Sequence, residues 1–174
     1  MRVIAYDVLK DYDAAKRIGY EYVDFDTLLR ESDIISLHVN LTKETYHMLS
    51  EKEFEKMKNG VVIINTARGA LIDSRALLKA LRDGKVSYAG LDVLEEEGDI
   101  GEELSVLYRD DEDIERLKRL LMNNLLIQLE KENYRVIITP HNAFNTKEAL
   151  ERIRKTTVEN IKSFVSKKPI NLVV

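Results

Sequence analysis

The feature that most constrains this chain is a short apolar run that ends abruptly in polar residues. Residues 61–64 read Val-Val-Ile-Ile, which is too short for a helix and rich in β-branched side chains. Such a run is typical of a strand buried on both faces, as in parallel sheets. Residues 65–69, Asn-Thr-Ala-Arg-Gly, follow at once. Because ligands bind outside the carboxyl ends of strands in open parallel sheets, Arg68 is predicted to lie at a functional site.

Further apolar runs alternate with helical patterns along the whole chain. Strands are predicted over residues 3–6, 22–25, 33–39, 61–65, 86–93 and 135–140. Helices are predicted over residues 13–18, 27–30, 50–58, 74–82 and 146–165, with one long or broken helix inside 94–134. The expected helix caps are Asp26, Asp73 and Thr146, and Ser50 with Glu53 is expected to form a capping box. This alternation predicts right-handed βαβ units and a mostly parallel, doubly wound α/β sheet covered on both faces. We expect residues 1–174 to form a single domain.

Composition excludes several classes of function. The formal charge of −4 comes from interspersed acids and bases, so no basic face is expected for nucleic acid or anionic lipid. No apolar run is long enough for a membrane span. The chain has no cysteine, hence no disulfide, thiol nucleophile or cysteine-ligated metal, and no metal site is predicted. We expect a cytoplasmic protein.

Polar residues follow the first and third predicted strands. A carboxylate at Asp7 could accept hydrogen bonds from both hydroxyls of an adenosine ribose. Taken alone, Asp7 is more simply explained as a turn or capping residue. His38 ends the third strand, where it would either line a cofactor or be purely structural. His47 is assigned no functional role.

The later strand ends carry an arginine, two acids and a histidine. The Arg68 guanidinium can bind a planar carboxylate through two parallel hydrogen bonds, although pairing with a surface acid is the simpler alternative. Asp92 closes the fifth strand, and Glu97 lies five residues further on. His141 follows the last strand and could exchange a proton near neutral pH. The neighbouring acids Glu95 and Glu96 are predicted to lie on a solvated face.

Six blocks of sequence carry a resemblance to a known family. They read VIAYD, DIISLHV, LTKETYHML, MKNGVVIINTARGALID, GLDVLEEEGD and ITPHNAFNTKEAL, in this order. The most specific combination is NTARG, then LDV with a glutamate five residues past the aspartate, then TPH. In these blocks the chain resembles the D-isomer-specific 2-hydroxyacid dehydrogenases. The phrase HNAF resembles their D-lactate dehydrogenase branch.

The resemblance implies NAD as cofactor and a small 2-oxo or 2-hydroxy acid as substrate. It implies that Arg68 binds the substrate carboxylate, that His141 is the acid/base, and that Glu97 is its partner. The residues implied to bind the cofactor are Asp7, His38, Val39, Thr45, Thr66, Ala67 and Asp92. Hydride transfer is then the implied reaction.

The sequence departs from the family pattern in three places. Asn40 replaces a usual proline, and Leu94 replaces a common aromatic residue. The family's G-x-G-x-x-G loop and N-terminal substrate domain have no counterpart here. Without the glycine-loop strand, the expected strand order is 2-1-3-4-5-6, which requires residues 3–6 to pair with residues 33–39.

These departures set the functional expectations. We expect the isolated chain to be inactive and to self-associate or to bind a complementing chain. In the family a helix follows the glycine loop and covers part of the sheet, so its absence would expose apolar surface. The alternative is a non-catalytic NAD-sensing or protein-interaction module derived from this family. A phospho-receiver domain is excluded, because His38 stands where the third strand of a receiver ends in aspartate.

Overall fold

The computed structural model describes residues 1–95, 114–133 and 135–172. The chain divides into two compact units, residues 1–140 and 141–174, which are described separately; the single domain stays a prediction. In the first unit the strands are β1 (Ile4–Ala5), β2 (Glu21–Tyr22), β3 (Ile34–Leu37), β4 (Val61–Asn65), β5 (Val86–Leu91) and β6 (Val136–Ile138). Its helices are α1 (Tyr12–Ile18), α2 (Phe25–Glu31), α3 (Glu51–Lys56), α4 (Ser74–Arg82) and α5 (Ile114–Asn133).

Four strands form the central sheet of the first unit. Their order is β3-β4-β5-β6, and every neighbouring pair is parallel. Ile63 of β4 lies opposite Ile35 on one side and Ala89 on the other. The α/β class with parallel strands is therefore confirmed, and the carboxyl ends of β3, β4 and β5 lie along one edge of the sheet.

The predicted pairing of the first strand with the third is wrong. β1 and β2 form a separate parallel pair, and no strand pairing joins β1 to β3 among the described residues. β1 pairs with β2 instead, and Arg2, which precedes β1, forms exposed ion pairs with Glu21 and Glu31 at 3.1 and 2.6 Å. The predicted order 2-1-3-4-5-6 is thus divided between two sheets, one of β2 and β1 and one of β3, β4, β5 and β6. β3 is an edge strand of the larger sheet.

Helix caps account for most of the predicted boundaries. Asp73 accepts hydrogen bonds from two amides of α4, and Ser50 with Glu53 forms the predicted capping box of α3. The expected cap at Asp26 is wrong, because α2 begins earlier and its cap is Asp24. The Thr27 hydroxyl and amide both donate to Asp24, and they lower the pKa of that carboxyl.

The second unit is dominated by one helix, α6 (Lys147–Val165). Thr146 caps it as predicted, accepting a hydrogen bond from the amide of Ala149. None of its residues is buried, and Phe164 and Val165 are about three-quarters exposed. Across the described ranges, no helix combines the length and apolar character that crossing a membrane requires.

We expect Ile63→Ala to destabilise the first unit strongly, because Ile63 is completely buried in the central strand β4. Removing a buried isoleucine side chain typically costs about 2–5 kcal/mol through lost burial and the cavity left behind. Ile34→Ala on β3 is the matched control, since that side chain is 58% exposed. Urea unfolding of both variants measures the difference. Equal losses would contradict the placement of the core.

Candidate functional site

Asn65 shapes the turn that follows β4. Its side chain is 1% exposed, and it bridges two backbone groups of the next three residues. The amide oxygen accepts a hydrogen bond from Ala67 N at 3.1 Å, and the amide nitrogen donates to the carbonyl oxygen of Arg68 at 2.9 Å. No role was predicted for Asn65. The available signal was an asparagine at the end of a buried strand, since asparagine side chains often hydrogen-bond to the backbone of the turn that follows.

Arg68 is presented at the carboxyl end of β4. Its backbone is extended, and it caps a 3-10 turn formed by Gly69–Leu71. The guanidinium is exposed, and its Nη1 donates to the carbonyl oxygen of Ala67 at 2.6 Å. A guanidinium has five N–H donors, so this bond leaves others from which a planar carboxylate could accept two.

The ends of β3 and β4 border a common cleft, because Leu37 lies opposite Asn65 in the sheet. This cleft has a volume of about 470 Å³, and its lining residues are His38, Val39, Asn40, Leu41, Ala67 and Arg68. The structure thus brings together four residues that the sequence assigned to the site, namely His38, Val39, Ala67 and Arg68.

The segment after β3 is held by its own threonines. Thr45 donates its hydroxyl to the carbonyl oxygen of Asn40 at 2.7 Å and accepts the amide of Thr42 at the same distance. The Thr42 hydroxyl also lowers the pKa of Glu44. Ser36 Oγ of β3 and His38 Nε2, just after the strand, are hydrogen-bonded at 2.8 Å. Thr45 therefore shapes one wall of the cleft through the Asn40 backbone.

Asp92 links the ends of β4, β5 and β6. It is 4% exposed, and its amide donates to the carbonyl oxygen of Asn65 at 2.9 Å. The hydroxyl of Thr139 donates to its carboxylate. Thr66, by contrast, is exposed on the turn beside Arg68. Asp92 therefore lies behind the Asn65 turn rather than in the lining of the cleft.

The remaining predicted site residues are Asp7, His141 and Glu97. Asp7 follows β1 in the separate pair of strands, where its carboxylate accepts the amide of Leu9 at 2.9 Å. That contact is the turn role considered as its alternative. His141 opens the second unit with a backbone φ of 49°, in the left-handed region. Glu97 lies outside the described residues.

The expectation that Glu95 lies on a solvated face is wrong. Its side chain is 3% exposed, and it accepts hydrogen bonds from the amide and hydroxyl of Ser74 at 3.1 and 2.6 Å. His47, assigned no role, places its Nε2 2.6 Å from the same carboxylate. The two residues are 48 positions apart, so no local pattern pointed to this pair. Over the described part of the chain, no group of three or more His, Asp or Glu side chains could hold a metal ion.

A model of the D-isomer specific 2-hydroxyacid dehydrogenase NAD binding domain matches residues 1–143. The chain belongs to this family. The matched range includes all six strands described above and the predicted site residue His141. The recognition from NTARG, LDV and TPH is therefore confirmed, as is the NAD-binding, Rossmann-like class of the fold.

Individual dehydrogenases of the family agree with this assignment. D-lactate dehydrogenase of Escherichia coli K12 is 44% identical over 161 residues, covering 92% of this chain and 45% of that protein. Glyoxylate reductase of Thermococcus litoralis is 42% identical over 174 residues, covering 99% and 45% respectively. The chain thus spans about half the length of the curated relatives it matches.

A solved dehydrogenase structure supports the fold. D-lactate dehydrogenase from Aquifex aeolicus, complexed with NAD and lactic acid, superimposes with a TM-score of 0.79 at 41% identity. The match covers 97% of this chain and 47% of that one.

Proposed function

We propose that this chain is the cofactor-binding part of a D-2-hydroxyacid dehydrogenase that interconverts a small 2-oxo acid and its 2-hydroxy acid. Pyruvate and D-lactate are the first pair to test, because D-lactate dehydrogenases are among the similar proteins. The observation that carries the proposal is Arg68, presented by the Asn65 turn beside a cleft at the end of β4. A guanidinium in this position suits a small carboxylate substrate.

The described residues fit part of an NAD molecule. A carboxylate has about four lone-pair sites, so Asp7 can accept ribose hydroxyls while it keeps the Leu9 amide. Val39 and Ala67 offer the cleft small apolar groups and backbone against which a nicotinamide ring could lie. Donors for the pyrophosphate fit less well, because none of the seven glycines forms a G-x-G-x-x-G motif. We infer that those donors come from another segment or chain.

Each catalytic residue has a defined proposed task. Bound NADH supplies the hydride that adds to the carbonyl carbon of the 2-oxo acid. Arg68 binds the carboxylate and polarises the 2-oxo group. His141 donates its proton to the carbonyl oxygen as the hydroxyl forms, and it takes that proton back in the reverse reaction. Glu97 is assigned the role of partner to His141, as the family resemblance implies.

The remaining site residues would surround the cofactor. We assign the adenosine ribose to Asp7 and the wall of the nicotinamide pocket to His38, Val39, Thr66 and Ala67. Thr45 and Asp92 act through the backbone segments that they hold, at Asn40 and Asn65 respectively.

We also propose that a second polypeptide segment or a second copy completes the site. Apolar side chains near the two unjoined strands are exposed, including Val8 (83%), Leu9 (82%) and Ile34 (58%). Exposed apolar patches of this kind often mark interaction surfaces. Positioning of substrate and cofactor can lower a barrier by about 7–11 kcal/mol, so the chain alone is expected to be inactive.

The test compares the chain alone with a chimera in which it replaces the matched part of E. coli D-lactate dehydrogenase. We expect NADH oxidation with pyruvate from the chimera and none from the chain alone, because only the chimera encloses the substrate. NADH absorbance measures turnover, and NADH fluorescence measures binding in both proteins.

Two controls make the outcome decisive. The His141→Gln chimera should bind NADH but lose turnover, which attributes the activity to this chain's residue. A folded chimera that binds NADH yet reduces none of pyruvate, glyoxylate or longer 2-oxo acids would contradict the proposed reaction. NADH binding by the isolated chain without turnover in the chimera would favour the non-catalytic, NAD-sensing alternative.

A further inference from the structure

The buried residue Glu95 joins three segments of the fold, two through its carboxylate and one through its backbone carbonyl. Ser74 opens α4, and His47 belongs to the connection between β3 and α3; both contact the carboxylate. Asn123 of α5 donates its side-chain amide to the Glu95 carbonyl oxygen at 2.5 Å. Side chain and backbone of Glu95 are therefore both held, by partners from separate parts of the fold.

The backbone held in this way lies directly against the residue that follows Arg68. A Cβ built at Gly69 would overlap the carbonyl group of Leu94 and the amide nitrogen of Glu95. The turn is also tied to His47, whose amide donates to the carbonyl oxygen of Ala70 at 2.8 Å. Movement of the Leu94–Glu95 backbone would thus remove a close packing contact from Gly69 in the turn.

A charged group is an unusual choice for such a buried place. Burying a carboxylate is unfavourable unless hydrogen bonds and charges compensate it. Here the amide and hydroxyl of Ser74 at the start of α4 supply compensation, and a helix N-terminus favours an anion. The directional bonds fix Glu95 in one place, which an apolar side chain of similar size would not do.

We propose that Glu95 is a positioning residue for Arg68, holding the Leu94–Glu95 backbone against Gly69 so that the guanidinium keeps its direction. This inference rests on the proposed function, in which Arg68 binds the carboxylate of a 2-oxo acid. Glu95 itself touches neither substrate nor cofactor in this scheme.

The experiment uses the full chain, alone and within the chimera, and measures the turn and the ligand separately. Amide exchange at Leu71 and Ile72 reports on the turn, because these amides donate to the carbonyl oxygens of Arg68 and Gly69. Oxamate, a planar 2-oxo acid analogue, is titrated by NMR on the same amides in the NADH-bound chimera, because only the chimera encloses the substrate. Glu95→Ala is expected to speed exchange at both amides about tenfold beyond the change at Val62 in β4. Oxamate affinity should fall about tenfold as the guanidinium is misplaced.

Matched variants separate positioning from general stability. Glu95→Gln keeps the shape and one acceptor oxygen, so it should restore much of the exchange protection and affinity. Val86→Ala, in the completely buried start of β5, should lower stability without a selective change in the turn. If Glu95→Ala does not fold, Ser74→Ala removes one donor to the carboxylate and should give the same selective change.

The outcomes distinguish this proposal from the proposed function. If Arg68→Gln leaves the oxamate titration unchanged, Arg68 does not bind the carboxylate, and the proposed function fails. If oxamate binding depends on Arg68 but Glu95→Ala behaves like Val86→Ala in both readouts, the positioning role is overturned.

Discussion

Arg68→Gln is expected to abolish productive binding of 2-oxo acids while leaving the fold intact. The proposed carboxylate contact consists of two hydrogen bonds to a charged group, each contributing about 1.5–3 kcal/mol. Loss of both predicts a fall in kcat/KM of roughly 10²–10⁴-fold in the chimera. The turn itself should persist, because Asn65 and the turn's backbone bonds hold it without the guanidinium.

Two further arginine variants make this prediction specific. Arg68→Lys keeps the positive charge but loses the planar, two-point geometry, so its activity should be intermediate. Arg75→Gln, at an exposed position of α4, removes the same charge from outside the cleft and should leave kcat/KM unchanged. Steady-state kinetics with pyruvate provide the comparison. A similar loss in Arg68→Gln and Arg75→Gln would show that net charge, rather than carboxylate recognition, explains the effect.

Gly69→Ala is expected to cause a large loss of stability. Its φ is not in the left-handed region, so alanine is disfavoured there only by space. The added Cβ would overlap the Leu94 carbonyl and the Glu95 amide, which are backbone atoms held by buried contacts. Forcing this overlap should cost about 3 kcal/mol. For a protein of this size, that corresponds to a lowering of Tm by roughly 6–12 °C.

Gly60→Ala is the control for this substitution. Gly60 has a φ of 80°, and nothing lies within 4 Å of a Cβ built there. Alanine at Gly60 therefore incurs only the backbone cost of the left-handed region, about 1–2 kcal/mol. Thermal unfolding of the two variants measures the difference. A Gly69→Ala protein no less stable than Gly60→Ala would mean that the Leu94–Glu95 segment yields easily.

Local patterns predicted much of the fold. The run ending at Asn65 is β4 as expected, and Asp73 begins α4 at the predicted residue. The prediction failed around Phe25, because residues 22–25 were predicted as a strand and the next helix only from residue 27, whereas β2 ends at Tyr22 and α2 begins at Phe25. A tertiary contact, the ring of Phe25 against Tyr6 at 5.2 Å, holds the start of α2 instead. Hydrophobic periodicity carries no information about such contacts.

The site was predictable where strand ends define it and unpredictable where distant partners do. Arg68 and His38 follow buried strands, so their shared position at one sheet edge could be expected. The burial of Glu95 depends on His47 and Ser74, which are 48 and 21 positions away. An acidic run is normally solvated. Only the assembled fold supplies the hydrogen-bond donors that allow Glu95 to be buried. The predicted β1–β3 pairing failed for a similar reason, because the order of strands along the chain does not determine which strands pair in the sheet.

The division of the first unit into two sheets has a consequence for its cooperativity. No ladder bond among the described residues crosses from β1–β2 to the four-stranded sheet, so opening the small pair breaks none of the larger sheet's backbone bonds. Local unfolding in proteins follows such boundaries. The segment that carries Asp7 can thus fluctuate as its own folding unit, while the Arg68 turn keeps the stability of the core. A ligand that orders the segment around Asp7, at the proposed adenosine site, would then not change the stability of the Arg68 turn at the proposed carboxylate site.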